Sequence, residues 1–393
     1  MRIISLDKLK TGDILGKSLF NERGELLLSS GYALTDRMVE LIRKQGYNYV
    51  YVMDDVSEDI VPETVISESV RQIVNRQLAQ TFDGVKNNLA FEAHTPEEIK
   101  KRLRDESKAR KLIRMPSVRK QVNQLLEEIF DNNISMFTSL PVRSEAGEDY
   151  QHAFEVAVMS ILLGQVFRYN HREMRALGAA ALVHDIGKMA FPRLKGKTYD
   201  QLSREERMIL HEHPTYSMMI LRGSDPSSYL EQTTVLQHHE QQDGRGYPQG
   251  LQGTGEKPAK AKAHEPLRIF RFAEILAVAN RYDNLLTGTL DGEKKSPAEA
   301  IATLVNEAGT RWNPHVVRAL TQVVQTYPVG ATVRIKKTYS RSYIGYIGVI
   351  KKANMIAQNK PVIVLFSNAV GAKITPREVD LSNEKTVTLE LVI

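Results

Sequence analysis

Val183-His184-Asp185-Ile186-Gly187-Lys188 stands directly behind the apolar run Leu177 to Leu182, and this junction restricts the fold more than any other stretch. The run reads as a helix meant for burial, and it carries an imidazole and a carboxylate side by side into the interior. Burying either group unpaired costs several kcal/mol, so the fold must supply partners. Two solutions are open: a structural ion pair, or a metal that takes imidazole nitrogen and carboxylate oxygen, such as Zn, Mn or Fe. His152 upstream and His213, His238 and His239 downstream lie beside similar apolar segments. Five of the ten histidines thus stand where apolar side chains would be the default, which weighs toward the metal.

The chain has no cysteine, so a metal site would use nitrogen and oxygen ligands, and a disulfide framework is excluded. With 42% hydrophobic and 25% charged residues, it has the composition of a globular protein with ample core. A length of 393 residues calls for two or three domains. The formal charge of +6 suits an anionic ligand such as a nucleotide, and equally an ordinary solvated surface. Met1-Arg2-Ile3-Ile4-Ser5-Leu6-Asp7 lacks the plan of a signal peptide. The longest apolar run, Ala153 to Phe167, is too short to span a membrane and carries Glu155. A cytoplasmic protein with no membrane span is expected.

Periodicity predicts a multidomain, mainly α chain. Residues 1–56 read as a small α+β unit. There, Asp13 to Phe20 and Glu25 to Leu28 flank the turn Asn21-Glu22-Arg23-Gly24, Thr35 caps a helix that Gly46 ends, and Tyr47 to Val52 alternate as a strand. Residues 57–118 are polar and helical, with apolar residues at helical spacing from Ile66 to Leu78 and with Lys, Arg and Glu free of interleaved aromatics from Pro96 to Ile113. They read as a solvated spacer that could serve a homodimer, rather than as a nucleic-acid patch. Residues 119–326 form a helical domain, with stripes at Val122, Leu125, Leu126 and Ile129, then Ala153 to Phe167, Met174 to Val183 and Ile269 to Leu286. Residues 327–393 switch to β-branched runs broken by Gly, Asn and Pro, a small β module.

Glu148 and His152 are four apart and share a helix face. His213 precedes Pro214, at a helix start or break. His238 and His239 would point about 100° apart on a regular helix, so both reach one ion only at a terminal or distorted turn. A bridging carboxylate among several histidines is what a two-metal hydrolytic site requires. Two ions about 3.5–4 Å apart share a hydroxide nucleophile and neutralise a phosphoryl oxygen. Lys188, one turn past His184, would set a cation beside that phosphate. Glu240 and Asp243 are candidates to orient the histidines.

The order His152, His184-Asp185, His213, His238-His239, followed by Gly246-Tyr247-Pro248, resembles the HD-GYP family of bacterial cyclic di-GMP phosphodiesterases over roughly residues 120–330. The resemblance implies an all-helical core and two or three divalent metal ions, usually Fe or Mn. It further implies cleavage of cyclic di-GMP to pGpG or GMP. It makes Glu148, His152, His184, Asp185, His213, His238 and His239 metal ligands, with Asp185 the catalytic bridge and Lys188 a catalytic contact to the substrate phosphate. Arg245, Gly246, Tyr247 and Pro248 would shape the guanine site or a surface for a signalling-protein partner.

The chain departs from the family at two places. Asn280 stands where a metal-binding Asp is usual; it lies on the inward stripe of Phe272 and Leu276 and would ligate through its weaker carbonyl. Asp283, three residues on, would partly substitute from the same face and is counted among the substrate-binding residues. Where the family has an Arg-Pro-Tyr-Arg-like stretch, Thr287 to Lys295 offers only Lys294 and Lys295. An added stretch, 253–266, suggests a lid or a contact surface. Two functions stay open: hydrolysis of cyclic di-GMP or a related cyclic dinucleotide, or a weakened or inactive binding module that senses the nucleotide. A phosphohydrolase for another nucleotide would leave the Gly-Tyr-Pro loop unexplained.

Overall fold

A helix that is apolar on every side belongs at the centre of a bundle, and helix Glu148–Val166 is buried at every position from His152 to Gly164. The computed structural model describes residues 1–392 except 22–24, 63–64, 90–94, 106–108, 133, 135, 139–147, 259–266, 290–291 and 355–356. Around the central helix pack helices Glu68–Leu89, His171–Val183, Arg271–Thr287 and Pro314–Val323. Asn170 and Glu173 form a reciprocal capping box that starts helix His171–Val183. That helix runs buried to its end and hands the chain to His184. Gly288, at a φ of 72°, closes helix Arg271–Thr287 in the left-handed conformation that suits glycine.

The polar stretch expected to be a spacer is instead a wall of this helical body. Helix Glu68–Leu89 buries Val74, Leu78, Phe82, Val85 and Leu89 in the same core as the central helix. Ile99 and Leu103 of helix Pro96–Leu103 join them. Arg71 pairs with Glu155 of the central helix. The apolar stripe is therefore consumed within the chain.

Two smaller units flank the body. Strands Arg2–Ser5, Tyr49–Met53 and Ile14–Leu15 form an antiparallel sheet with its own core around Leu15, Ile42 and Val50. Thr35 caps helix Asp36–Lys44 by accepting from the Met38 N–H. Strands Leu19–Phe20 and Leu26–Leu28 pair antiparallel, while the tip of their turn, 22–24, lies outside the described residues. At the other end, strands Lys373–Asp380, Val362–Ser367, Ile347–Lys352, Thr332–Thr338 and Val387–Leu391 make a five-stranded antiparallel sheet in that order. The two units touch: the Ile3 N–H donates to the Gly330 carbonyl at 2.8 Å. Among the described residues, no helix is long and apolar enough to cross a membrane.

Candidate metal centre

Helix ends aim most of the site's histidines. The last carbonyls of a helix have no intrahelical N–H to accept from, and three imidazoles use them. His184, just past helix His171–Val183, donates Nδ1–H to the Ala181 carbonyl at 2.8 Å. His213 donates to Leu210 of helix Arg204–His211 at 2.6 Å, and His238 to Val235 of helix Tyr229–Gln237 at 2.7 Å. With Nδ1 engaged, each ring turns Nε2 inward, the tautomer a metal needs. His152, in the first turns of the central helix, has its Nδ1 2.6 Å from Oδ2 of Asp283 instead.

The Nε2 atoms converge on Asp185. Its Oδ1 lies 3.1 Å from His213 Nε2 and 3.6 Å from His238 Nε2. Its Oδ2 lies 3.4 Å from His184 Nε2 and 3.6 Å from His152 Nε2. The donors thus fall into two groups that share one carboxylate: Asp185 with His213, His238 and His239, and Asp185 with His152 and His184, each spanning no more than 4.8 Å. Nε2 of His152, His184 and His239 and Oδ1 of Asp185 are buried without a hydrogen-bond partner. Such orphaned atoms are expensive in a folded protein, and the imidazole–carboxylate set fits divalent metal ions. The six residues form two donor sets joined by a bridging carboxylate.

Electrostatics agree. Burial would raise the Asp185 carboxyl, but the charges of His184 and Lys188 and the close approach of the His184 and His213 rings hold it well below the carboxylate range. Burial pushes His213 and His239 below the ordinary imidazole value and His238 to about 3. These rings are neutral near pH 7, the state that ligates.

Gly187 sits against the helix that follows His213. A Cβ there would meet the His213 carbonyl oxygen at 2.2 Å, so only glycine lets the two ligand-bearing segments approach. Ser217 ties them further, donating to the His184 carbonyl at 2.7 Å and accepting from the Gly187 N–H at 2.9 Å. Lys188 donates to Asp185 Oδ2 at 2.5 Å and keeps 23% of its side chain exposed. It borders a cavity of about 330 Å³ that His213 also lines.

In the Gly246-Tyr247-Pro248 loop, Tyr247 is packed into the histidine cluster. Tyr247 stacks on His239, with centroids 4.6 Å apart and planes at 14°, and on His211, at 4.0 Å and 12°. Two rings parallel to Tyr247 at such distances must cover opposite faces, so it has no face left for a base. It steadies His239, which the carbonyl braces do not reach. Gly246 passes so close to the chain before it that a Cβ would meet Gln241 N at 2.4 Å. Arg245 is 86% exposed beside Asp243, and Pro248 is exposed.

Glu240 serves the loop rather than the histidines, accepting from the N–H groups of Gln249 and Leu251 at 2.7 and 2.8 Å. Asp283 is fully buried behind His152. Asn280 is buried and accepts from the Asn284 amide at 2.7 Å. Lys294 reaches Asn48 of the N-terminal unit at 3.0 Å. The Glu148 side chain and residues 259–266 lie outside the described residues. The bracing role of Asp283 and the stacking role of His211 were missed in the sequence. The spacing of Asp283 from His152, 131 residues, carries no local signal.

Residues 124–316 match the family model described as HD domain. Cyclic di-GMP phosphodiesterase PA4108 of Pseudomonas aeruginosa is 26% identical over 66% of this chain and 57% of its own length. The cyclic di-GMP phosphodiesterase response regulator RpfG of Xanthomonas campestris is 30% identical over 40% of this chain and 39% of its own. The 3'3'-cGAMP-specific phosphodiesterase 1 of Vibrio cholerae is 30% identical over 38% and 32%. The chain thus spans about half the length, or less, of these curated relatives.

Proposed function

The chain belongs to the HD domain family, and from that premise we propose that it is a metal-dependent phosphodiesterase that opens cyclic di-GMP to pGpG and on to GMP. The observation that carries this reading is the posture of Asp185, each oxygen turned to a different group of buried imidazoles, with Nε2 of His152, His184 and His239 left without a hydrogen-bond partner. Two relatives named for cyclic di-GMP support the substrate.

His152 and His184 would hold one ion and His213, His238 and His239 another, with Asp185 shared. Iron or manganese suits this nitrogen and oxygen set. When bound, such ions activate water for attack and neutralise phosphoryl oxygens. The chain's own residues do the rest. The neutral imidazoles of His213, His238 and His239 present Nε2 without competing protons. Lys188, poised between Asp185 and the cavity, meets a phosphoryl oxygen of the incoming nucleotide, and its fixed charge favours the transition state as negative charge builds there. Water adds across one P–O3′ bond, the 3′ oxygen leaves with a proton, and the linear product retains a 5′ phosphate. Tyr247 keeps His239 in register. The loop's outer surface, with Arg245, Pro248, Gln249 and Gly250 exposed, is free for a signalling-protein partner.

The test is an anaerobic assay with Fe(II) or Mn(II) and cyclic di-GMP, products separated by chromatography. Wild type yields pGpG or GMP; the double substitution His184→Ala with Asp185→Ala yields neither. Undiminished turnover in the double variant refutes the assignment.

A further inference from the structure

The cavity beside the metal centre is walled from two distant parts of the chain. Its volume, about 330 Å³, lies at the small end of ligand pockets, roughly 300–1,000 Å³, and suits one nucleotide half. Lys188, Lys195, Lys197 and His213 come from the matched domain. Ala79, Phe82, Asp83 and Lys86 come from helix Glu68–Leu89, which lies before it. Those four positions follow i, i+3, i+4, i+7, so a single helix face lines the space.

Four lysines border the cavity, and three are already matched where they stand. Lys188 pairs with Asp185 at 2.5 Å, Lys195 with Asp149 at 2.5 Å and Lys197 with Glu206 at 2.6 Å. Lys86 makes no ion pair or hydrogen bond among the described residues. An uncompensated ammonium at the wall of a concave site attracts and holds an anion. Lys294, one of the two lysines in the stretch where a basic clamp was sought, is engaged with Asn48.

We propose that Lys86 binds a phosphate of the substrate, so that helix Glu68–Leu89 completes a substrate site the matched domain leaves open. The inference rests on the phosphodiesterase reading above and adds a substrate-binding residue to it.

The experiment compares wild type, Lys86→Ala and Lys86→Arg in the full, metal-loaded chain. It measures KM and kcat for cyclic di-GMP and, by titration calorimetry, the binding of GMP. Lys86 is exposed, so thermal melting should match across the three. Lys86→Ala raises KM about tenfold with kcat little changed, as loss of one charge-assisted contact made before the chemical step should. It weakens GMP binding by a similar factor, and Lys86→Arg restores both. Equal KM and equal GMP affinity in wild type and Lys86→Ala overturn the proposal. If wild type cleaves no cyclic di-GMP, the phosphodiesterase reading fails, and the calorimetry alone then decides. GMP binding lost in Lys86→Ala and regained in Lys86→Arg upholds the Lys86 site; GMP binding that is unchanged, or absent in wild type, removes it.

Discussion

On one side of the metal centre imidazoles are braced by helix ends, and on the other by a borrowed carboxylate. His184, His213 and His238 each use the carbonyl three residues back, in the last turn of a helix, where carbonyls lack the i+4 N–H of the helix body. His152 lies near the start of the central helix, whose early carbonyls are committed to the helix itself. Its brace is Asp283, from helix Arg271–Thr287. A helix end therefore makes a ligand position from backbone alone, local in the chain. A histidine in a helix body draws a second element into the site and makes the site depend on it.

That dependence can be broken. Asp283→Asn keeps an acceptor beside His152 Nδ1 but removes the charge that fixes the tautomer and raises the ring's basicity. The expected outcome is roughly 10–100-fold weaker metal retention or activity, measured as metal content against a competing chelator and as turnover. The backbone-braced histidines offer no side chain to remove and serve as the internal reference. Unchanged retention and turnover in Asp283→Asn would dissolve the distinction between the two braces.

A second buried carboxylate on the same helix sharpens the contrast. Glu274 accepts from the neutral amides of Gln242 at 2.7 Å and Asn313 at 3.1 Å. Burial pushes its pKa from 4.5 to about 7. A carboxyl raised in the folded state favours folding below its unfolded pKa. That contribution is lost as pH rises from 4.5 through 7, and above this the buried charge is carried at a cost. Glu274→Gln keeps the acceptor without the charge. It should gain on the order of 1–3 kcal/mol of stability at pH 8, a gain that shrinks toward pH 4.5. Urea unfolding at pH 8 and pH 5 reads this directly, and a pH-independent difference would mean that Glu274 does not titrate across that window.

The same contrast explains what was legible in the sequence. Histidines at helix ends sit beside apolar runs, so His184, His213 and His238 announce themselves locally. The packing of helix Glu68–Leu89 did not, because its single apolar stripe lies among charged residues and most of its partner surface lies some 80 positions on or more, as the Arg71–Glu155 pair shows with a separation of 84. Tyr247 was visible as part of a loop, but stacking between His211 and His239 depends on three segments meeting in space. Asp283 was read as facing the substrate because helical spacing gives a face and not what the face meets.

Asn280 tests how far the bridging arrangement suffices. It shares the inward face of helix Arg271–Thr287 with Asp283, and its carbonyl oxygen is occupied by the Asn284 amide. The two donor groups around Asp185 form without it. Asn280→Asp would add a negative charge within one turn of Asp283, where repulsion between the carboxylates works against any gain in metal attraction. Turnover of cyclic di-GMP should therefore stay within about tenfold of wild type, roughly 1.4 kcal/mol in the barrier, by the same chromatographic assay. Hydrolysis that starts from none in wild type and emerges in Asn280→Asp would reverse the conclusion. The wild-type chain would then be a nucleotide sensor on a hydrolase framework, and the missing charge, rather than the braces, would be what separates it from an enzyme.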